Sequence, residues 1–222
     1  MAQKYVKEKF EYCKIIEPSA TFAGLAFEQC TFAGGALMQE QDDPAYGLLV
    51  RDVSLQKCKV GNVVLYGIRC DGVTVDTLGH SKPIEFEACV FEHVVLRGNL
   101  GAVRFSPAID DESRKVLAPA AVKLYEEIDW ALDITEAKFS GIEMWDVPGH
   151  LVKRDPETQF LVRRDAAAAA NIDALPFYAQ ILIERAAEAP YETSVLAAPA
   201  RSKDFEEALD AFRKLRDLGI AE

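Results

Sequence analysis

Three histidines, five cysteines and 36 carboxylates are the groups through which this 222-residue chain could do chemistry. His80, His93 and His150 stand far apart, and none falls in an HExxH or comparable metal-ligand spacing. Cys13, Cys30, Cys58, Cys70 and Cys89 form no CxxC pair, and no histidine spacing completes a zinc set. An odd count without a pairing pattern reads as reduced thiols in a cytoplasmic protein. The chain has no GxxxxGK loop for phosphate, no GxGxxG and no GxSxG nucleophile turn. The expectation is a non-enzyme with no catalytic residue, no metal and no cofactor. The carboxylates, with Glu87 and Glu92 on outward places, read as a solvated face, and solvent-facing aromatics, which anchor protein partners, are the remaining surface chemistry.

With 25 Lys and Arg against 36 Asp and Glu, the net charge is -11. That balance disfavours direct nucleic-acid binding, which needs clustered Lys and Arg, and disfavours anionic membranes. Half of the residues are apolar and 27% are charged, as in a soluble globular protein. No apolar run reaches the ~18 residues of a membrane span. Met1 to Phe10 interleaves Lys4, Lys7, Glu8 and Lys9 with single apolar residues, so no signal peptide is expected.

The elements that must carry these groups come from a five-residue period. From Ala20 the chain reads Ala20/Phe22, Leu25/Phe27, Cys30/Phe32, Gly35/Leu37 at the first and third places of successive units. The pattern resumes over Val53–Val75, Ile84–Leu96 and Leu132–Met144. Of these 15 units, all 15 third places are apolar, and Gly35 is the one first place that is not. The fifth place is Gly at Gly24, Gly34, Gly67, Gly72, Gly98 and Gly141. A helix needs apolar residues at i, i+3, i+4 and i+7, and a two-sided strand needs unbroken alternation. Three extended residues followed by a corner satisfy the observed spacing, with glycine tolerating the corner. Cys30, Cys58, Cys70 and Cys89 fall on inward places, as small buried hydrophobes.

These residues resemble the pentapeptide-repeat family, whose unit is Ala, Asp or Asn, Leu or Phe, and two variable residues. The resemblance covers residues 20–99 and 132–146. It departs at the second place, where only Asp133 of 15 matches. It implies a mainly β fold: a right-handed quadrilateral β-helix, here of about four coils, or roughly 15–20 Å of stacked strands. A stub this short needs covered ends. Tyr5 to Ile16 is expected as a cap strand over the first coil, and His150 to Val162 as a terminal hairpin turning at Asp155-Pro156. Residues 1–164 then form the β-helix with its insertions, and residues 165–222 a helical region.

Three segments interrupt the repeat. Met38 to Asp52 is expected to project as an acidic loop carrying Glu40, Asp42, Asp43 and Tyr46. Asp76 to Pro83 is short, and Leu100 to Ala131 holds a helix from Ala121, with Pro119 in its first turn. Beyond the repeat, Asp165 is a cap for the alanine run, and Pro176 begins a helix with Phe177, Ile181, Arg185 and Glu188 on one side. Ser202 and Gly219 bracket a last helix whose stripe is Phe205, Leu209, Phe212 and Leu215. That stripe either packs on the body or pairs two chains, since members of the family dimerise through their C-termini. Tyr66 and Trp145 stand on the outward fourth place.

The expected function is a non-catalytic protein-binding module, with Glu40, Asp42, Asp43, Tyr46, Tyr66 and Trp145 as partner-binding residues. The family suggests neutralising or scaffolding another bacterial protein, such as a toxin. A second implication of the resemblance is DNA mimicry, in which an acidic member binds and protects a type II topoisomerase. The charge, +1 over residues 1–19, -4 over 20–100, -5 over 101–150 and -3 over 151–222, is too evenly spread for the stripe a mimic needs.

Overall fold

The computed structural model describes residues 2–80 and 82–222. It is mainly β, with parallel sheets that curl into a half-barrel, and among the described residues it has four α-helices. Among the described residues no helix is long and apolar enough to cross a membrane.

The five-residue period sets the strand stacking. Leu49 lies beside Arg69, and Ser54 beside Thr74, each twenty residues further along the chain. Arg69 in turn lies beside Val90, and Thr74 beside Val95, each twenty-one residues on because the break at 76–83 adds one residue to the turn. Four units of five therefore return the chain to the same place one strand on. Where residues 40–47 intrude, the offset grows to 28, with Ala26 beside Ser54. The fifth-place corners are left-handed: Gln29, Lys57, Asn62, Thr77, Ala88 and His93 share φ of 49° to 63° with glycines 24, 34, 67, 72 and 98 at 63° to 75°. Gly141 is the exception and lies in the strand Gly141–Met144.

The third-place side chains stack from rung to rung. Tyr5 lies over Phe27 at 5.2 Å, Phe10 over Phe32 at 5.1 Å, and Phe86 over Phe105 at 5.4 Å. Such pairs add about 0.5–1.5 kcal/mol beyond simple burial. Cys30, Cys58, Cys70 and Cys89 are buried as the inward register requires. Burial pushes the Cys70 thiol up to about 12, which leaves it protonated and unreactive.

Several expectations about the ends and insertions are corrected. Tyr5 to Ile16 lies over the first coil as expected, but as two strands rather than one. Its strands Gln3–Val6 and Lys9–Glu17 join the parallel ladders in register with Leu25–Glu28 and Thr31–Gln39. At the other end Val152–Lys153 pairs in parallel with Leu132–Asp133, so the expected hairpin does not form. The longest ladder consequently has seven rungs, running from Gln3–Val6 to Val152–Lys153, a stack of roughly 30 Å at ~4.8 Å spacing. The segment from Leu100 to Ala131 also contributes a strand, Ala102–Ser106, which pairs with Ile84–Glu87. Its helix α1 spans Asp111–Glu126, not Ala121 onward. Asp110 caps it, accepting from the Ser113 amide at 2.8 Å, and Pro119 sits in the helix interior.

The described residues form two hydrophobic cores. One fills the ladders and the face of α1, and the other gathers Phe160, Val162, Ala179, Ile183, Leu209 and Phe212. The strand Gln159–Arg163 belongs to the second core, where it pairs antiparallel with Thr193–Ala197. The C-terminal region therefore begins before residue 165 and contains a sheet. Helices α2 (Arg164–Ala169), α3 (Phe177–Glu188) and α4 (Phe205–Asp217) cover it. Asp165 lies inside the first turn of α2, and Asp204, not Ser202, is the cap position of α4. The α4 stripe Leu209, Phe212 and Leu215 is buried within the chain. The helix ends as expected on Gly219 at φ +73°, with Ile220 donating to the Leu215 carbonyl at 2.9 Å and Gly219 to that of Arg216 at 2.9 Å. Gly219→Ala meets open space but a strained φ, so a loss of about 1 kcal/mol is expected in a urea titration.

Candidate functional site

The acidic loop does not project. The strand Thr31–Gln39 continues to Gln39 and the next begins at Leu48, leaving a loop of residues 40–47 folded against the body. Buried Gln39 anchors it, donating from its side chain to the Gly67 carbonyl and accepting from the Asp43 amide at 2.7 Å. Asp43 turns inward to accept from the Ala45 and Gly47 amides at 2.9 and 3.0 Å. Tyr46 is only 2% exposed, and its hydroxyl donates to the Leu117 carbonyl of α1 at 3.4 Å. Tyr66 donates to Asp42, and burial together with that carboxylate pushes its phenol up to about 12. Glu40 alone of this set is exposed. The structure thus brings Asp42, Asp43, Tyr46 and Tyr66 together as a latch that closes the loop, because each polar group finds an internal partner.

Trp145 lies elsewhere, just after the strand Gly141–Met144, where the two cores meet. Its indole NH donates to Glu143 at 3.3 Å, and the Arg185 guanidinium of α3 lies 5.9 Å from the ring centre. Glu143 also pairs with Arg185 at 2.6 Å and Arg104 at 2.9 Å. Burial acts to raise the Glu143 carboxyl, but hydrogen bonds from Arg104 and Trp145, with the two guanidinium charges, outweigh it and hold the pKa below the usual range. Trp145 is therefore fixed in place by its neighbours.

Beside it opens a groove of about 710 Å³ between that strand and α3. Phe177 and Ile181 of α3 flank it, 86% and 53% exposed. The spacing of four residues places both on one helix face. The residues that α3 buries are Ala179, Ile183 and Ala186 on the other side. Helix α3 therefore buries one face against the second core while Phe177 and Ile181, two of its large apolar side chains, stay uncovered on the other. Glu143, Glu184, Asp204 and Glu207 line the groove against a single cation, Arg185. Of the six residues expected from sequence, only Trp145 belongs here. Phe177 and Ile181 were legible as a shared face but not as an exposed one. The signal was the Ala179, Ile183, Ala186 stripe, whose close-packing residues compete for the core.

A second cluster, Asp71, Glu92 and His93, brings its ligand atoms within 4.8 Å of one another. Its carboxylates are engaged by guanidinium groups, Asp71 by Arg51 at 2.8 Å and Glu92 by Arg69 at 2.6 Å. His93, at a left-handed corner, contacts Asp129 at 2.6 Å. The cluster joins neighbouring rungs to the end of the α1 insertion.

No protein-family model, no curated protein and no solved structure matches the chain.

Proposed function

We propose that this chain is a non-catalytic protein-binding module whose partner seats on the Trp145–Phe177–Ile181 groove. The observation that carries it is the exposure of Phe177 and Ile181 beside an oriented tryptophan, since large aromatics held rigidly at a groove are the residues that dominate protein interfaces. The acidic lining selects a partner segment with apolar anchors and Lys or Arg flanks. Neutralising or scaffolding another protein, a toxin among them, is the role that fits a rigid body with such a surface.

The ladders are read here as a right-handed quadrilateral β-helix of degenerate pentapeptide repeats. The twenty-residue offsets and the left-handed corners at five-residue spacing support that reading. The alternative role, DNA mimicry toward a type II topoisomerase, is less favoured by the pattern of charge. Outward carboxylates are paired across rungs: Glu28 with Lys4 at 2.8 Å, Asp76 with Arg97 at 3.0 Å, Asp71 with Arg51 and Glu92 with Arg69. Alternating ion pairs do not resemble a row of phosphates.

Affinity capture from extract with wild-type chain and a Phe177→Asp variant tests the groove. Because Phe177 is exposed, the variant is expected to fold with unchanged melting temperature. The expected result is a stoichiometric partner bound by wild type and weakened about 30-fold or more in the variant, the scale of an interface anchor. Equal capture by both proteins, or no partner for either, would overturn the reading.

A further inference from the structure

The first coil ends in an open edge. Gln3–Val6 pairs only with Leu25–Glu28, and Lys9–Glu17 only with Thr31–Gln39, among the described residues. The other side of each strand offers unpaired amides and carbonyls. Tyr5, Phe10 and Ile15 are half-buried there, while Val6, Tyr12 and Ile16 are 44%, 78% and 45% exposed. Lys7 and Tyr12 turn the chain at φ of 59° and 53°, so the edge is three short segments set at corners. A single extended peptide can follow one such segment. Only another coil with the same outline can pair with all three.

The geometry points to a second copy of this chain as the occupant, docked edge to edge through a two-fold axis. Antiparallel pairing must keep the inward residues Tyr5, Phe10 and Ile15 level with inward residues of the partner subunit. One register does so for all three, with Phe10 opposite its symmetry mate and Tyr5 opposite Ile15. That register sets Lys9 against Glu11 of the partner subunit, twice over, a favourable cross-strand charge pair. The remainder of the molecule is strongly acidic, whereas residues 1–19 carry +1, so this end is where two copies meet with least repulsion. The inference goes beyond the groove and does not depend on it.

Charge reversal tests the register. Lys9 and Glu11 form an exposed ion pair at 2.7 Å with side chains 60% and 50% accessible, so changing them leaves the fold intact. Sedimentation at about 50 µM should give wild type as a dimer of the 24.5 kDa chain. Lys9→Glu places four carboxylates at the two contacts and should weaken the dimer at least tenfold. The swap Lys9→Glu with Glu11→Lys restores opposite charges across the axis and should restore the dimer. A monomeric wild type overturns the proposal. So does a dimer indifferent to Lys9→Glu, which would place the contact elsewhere, or a swap that fails to rescue.

Discussion

Replacing Asp146 by Asn should make the protein more stable at pH 8 by about 2–4 kcal/mol, with the gain shrinking toward zero near pH 4. Asp146 is 5% exposed, just past the last long rung of the body, and burial pushes its carboxyl up to about 7. Burial raises the phenols of Tyr46, Tyr125 and Tyr191 and the Cys89 thiol; the Asp146 charge is the next cause at Tyr46 and Tyr191, and a smaller one at Tyr125, behind Tyr191, and at Cys89, behind Cys70. The unfolded carboxyl titrates near ~3.9, so the folded state holds the extra proton between about pH 4 and 7. A folded pKa above the unfolded one means stability is highest at low pH, falls as pH rises through that window, and is level above it. Three pKa units at ~1.36 kcal/mol each give about 4 kcal/mol as the ceiling. Asn keeps the shape and removes the charge, at the cost of an amide that must find its own partners. Urea titrations of both proteins at pH 5 and pH 8 check this. A difference of the same size at both pH values would remove Asp146 as the cause.

Gly35→Ala should cost about 3–5 kcal/mol, the largest loss expected from adding a single methyl group. Gly35 has φ +133°, and a Cβ there would stand 2.1 Å from the Cys13 carbonyl oxygen. That oxygen is backbone in the adjacent rung, so relief requires the ladder between Lys9–Glu17 and Thr31–Gln39 to open. A strained residue costs ~1–3 kcal/mol, and each ladder hydrogen bond lost adds roughly 1 kcal/mol. Gly61→Ala is the contrast. Its φ is ordinary and nothing lies within 4 Å, so that variant should be neutral or slightly stabilising. Equal midpoints for the two variants would contradict the register of the first two rungs.

The same Gly35 shows what the sequence made legible. It was the single non-apolar first place in the repeat, and it is the place where the neighbouring rung approaches too closely for any side chain. Apolar first and third places identified the buried cysteines and stacked phenylalanines because burial follows directly from period and chain direction. The corners were visible through glycine, although Gln29, Asn62 and Thr77 adopt the same left-handed backbone without advertising it. Other features depended on contacts distant in sequence. The acidic residues of the 40–47 loop read as solvent-facing, but Asp43 satisfies its own turn and Tyr46 is drawn under α1. Pro119 reads as a first-turn residue in sequence because the Asp110 cap lies nine residues earlier, across a stretch with weak periodicity. Val152–Lys153 is too short to show in sequence that it joins a parallel ladder, so with Gln159–Arg163 it reads as a hairpin. The spacing of Phe177 and Ile181 shows a shared face, but only the packing of Ala179, Ile183 and Ala186 against the second core decides which face is turned outward.

The central claim is that a protein partner sits on the Trp145–Phe177–Ile181 groove. Its most direct test is photocrosslinking in the cell with a benzophenone side chain placed at Phe177, compared with the same group at Glu157, an exposed turn residue outside the groove. The account predicts a discrete adduct of defined mass from position 177 and none from position 157. No adduct from position 177, or the same adduct from both positions, would contradict it.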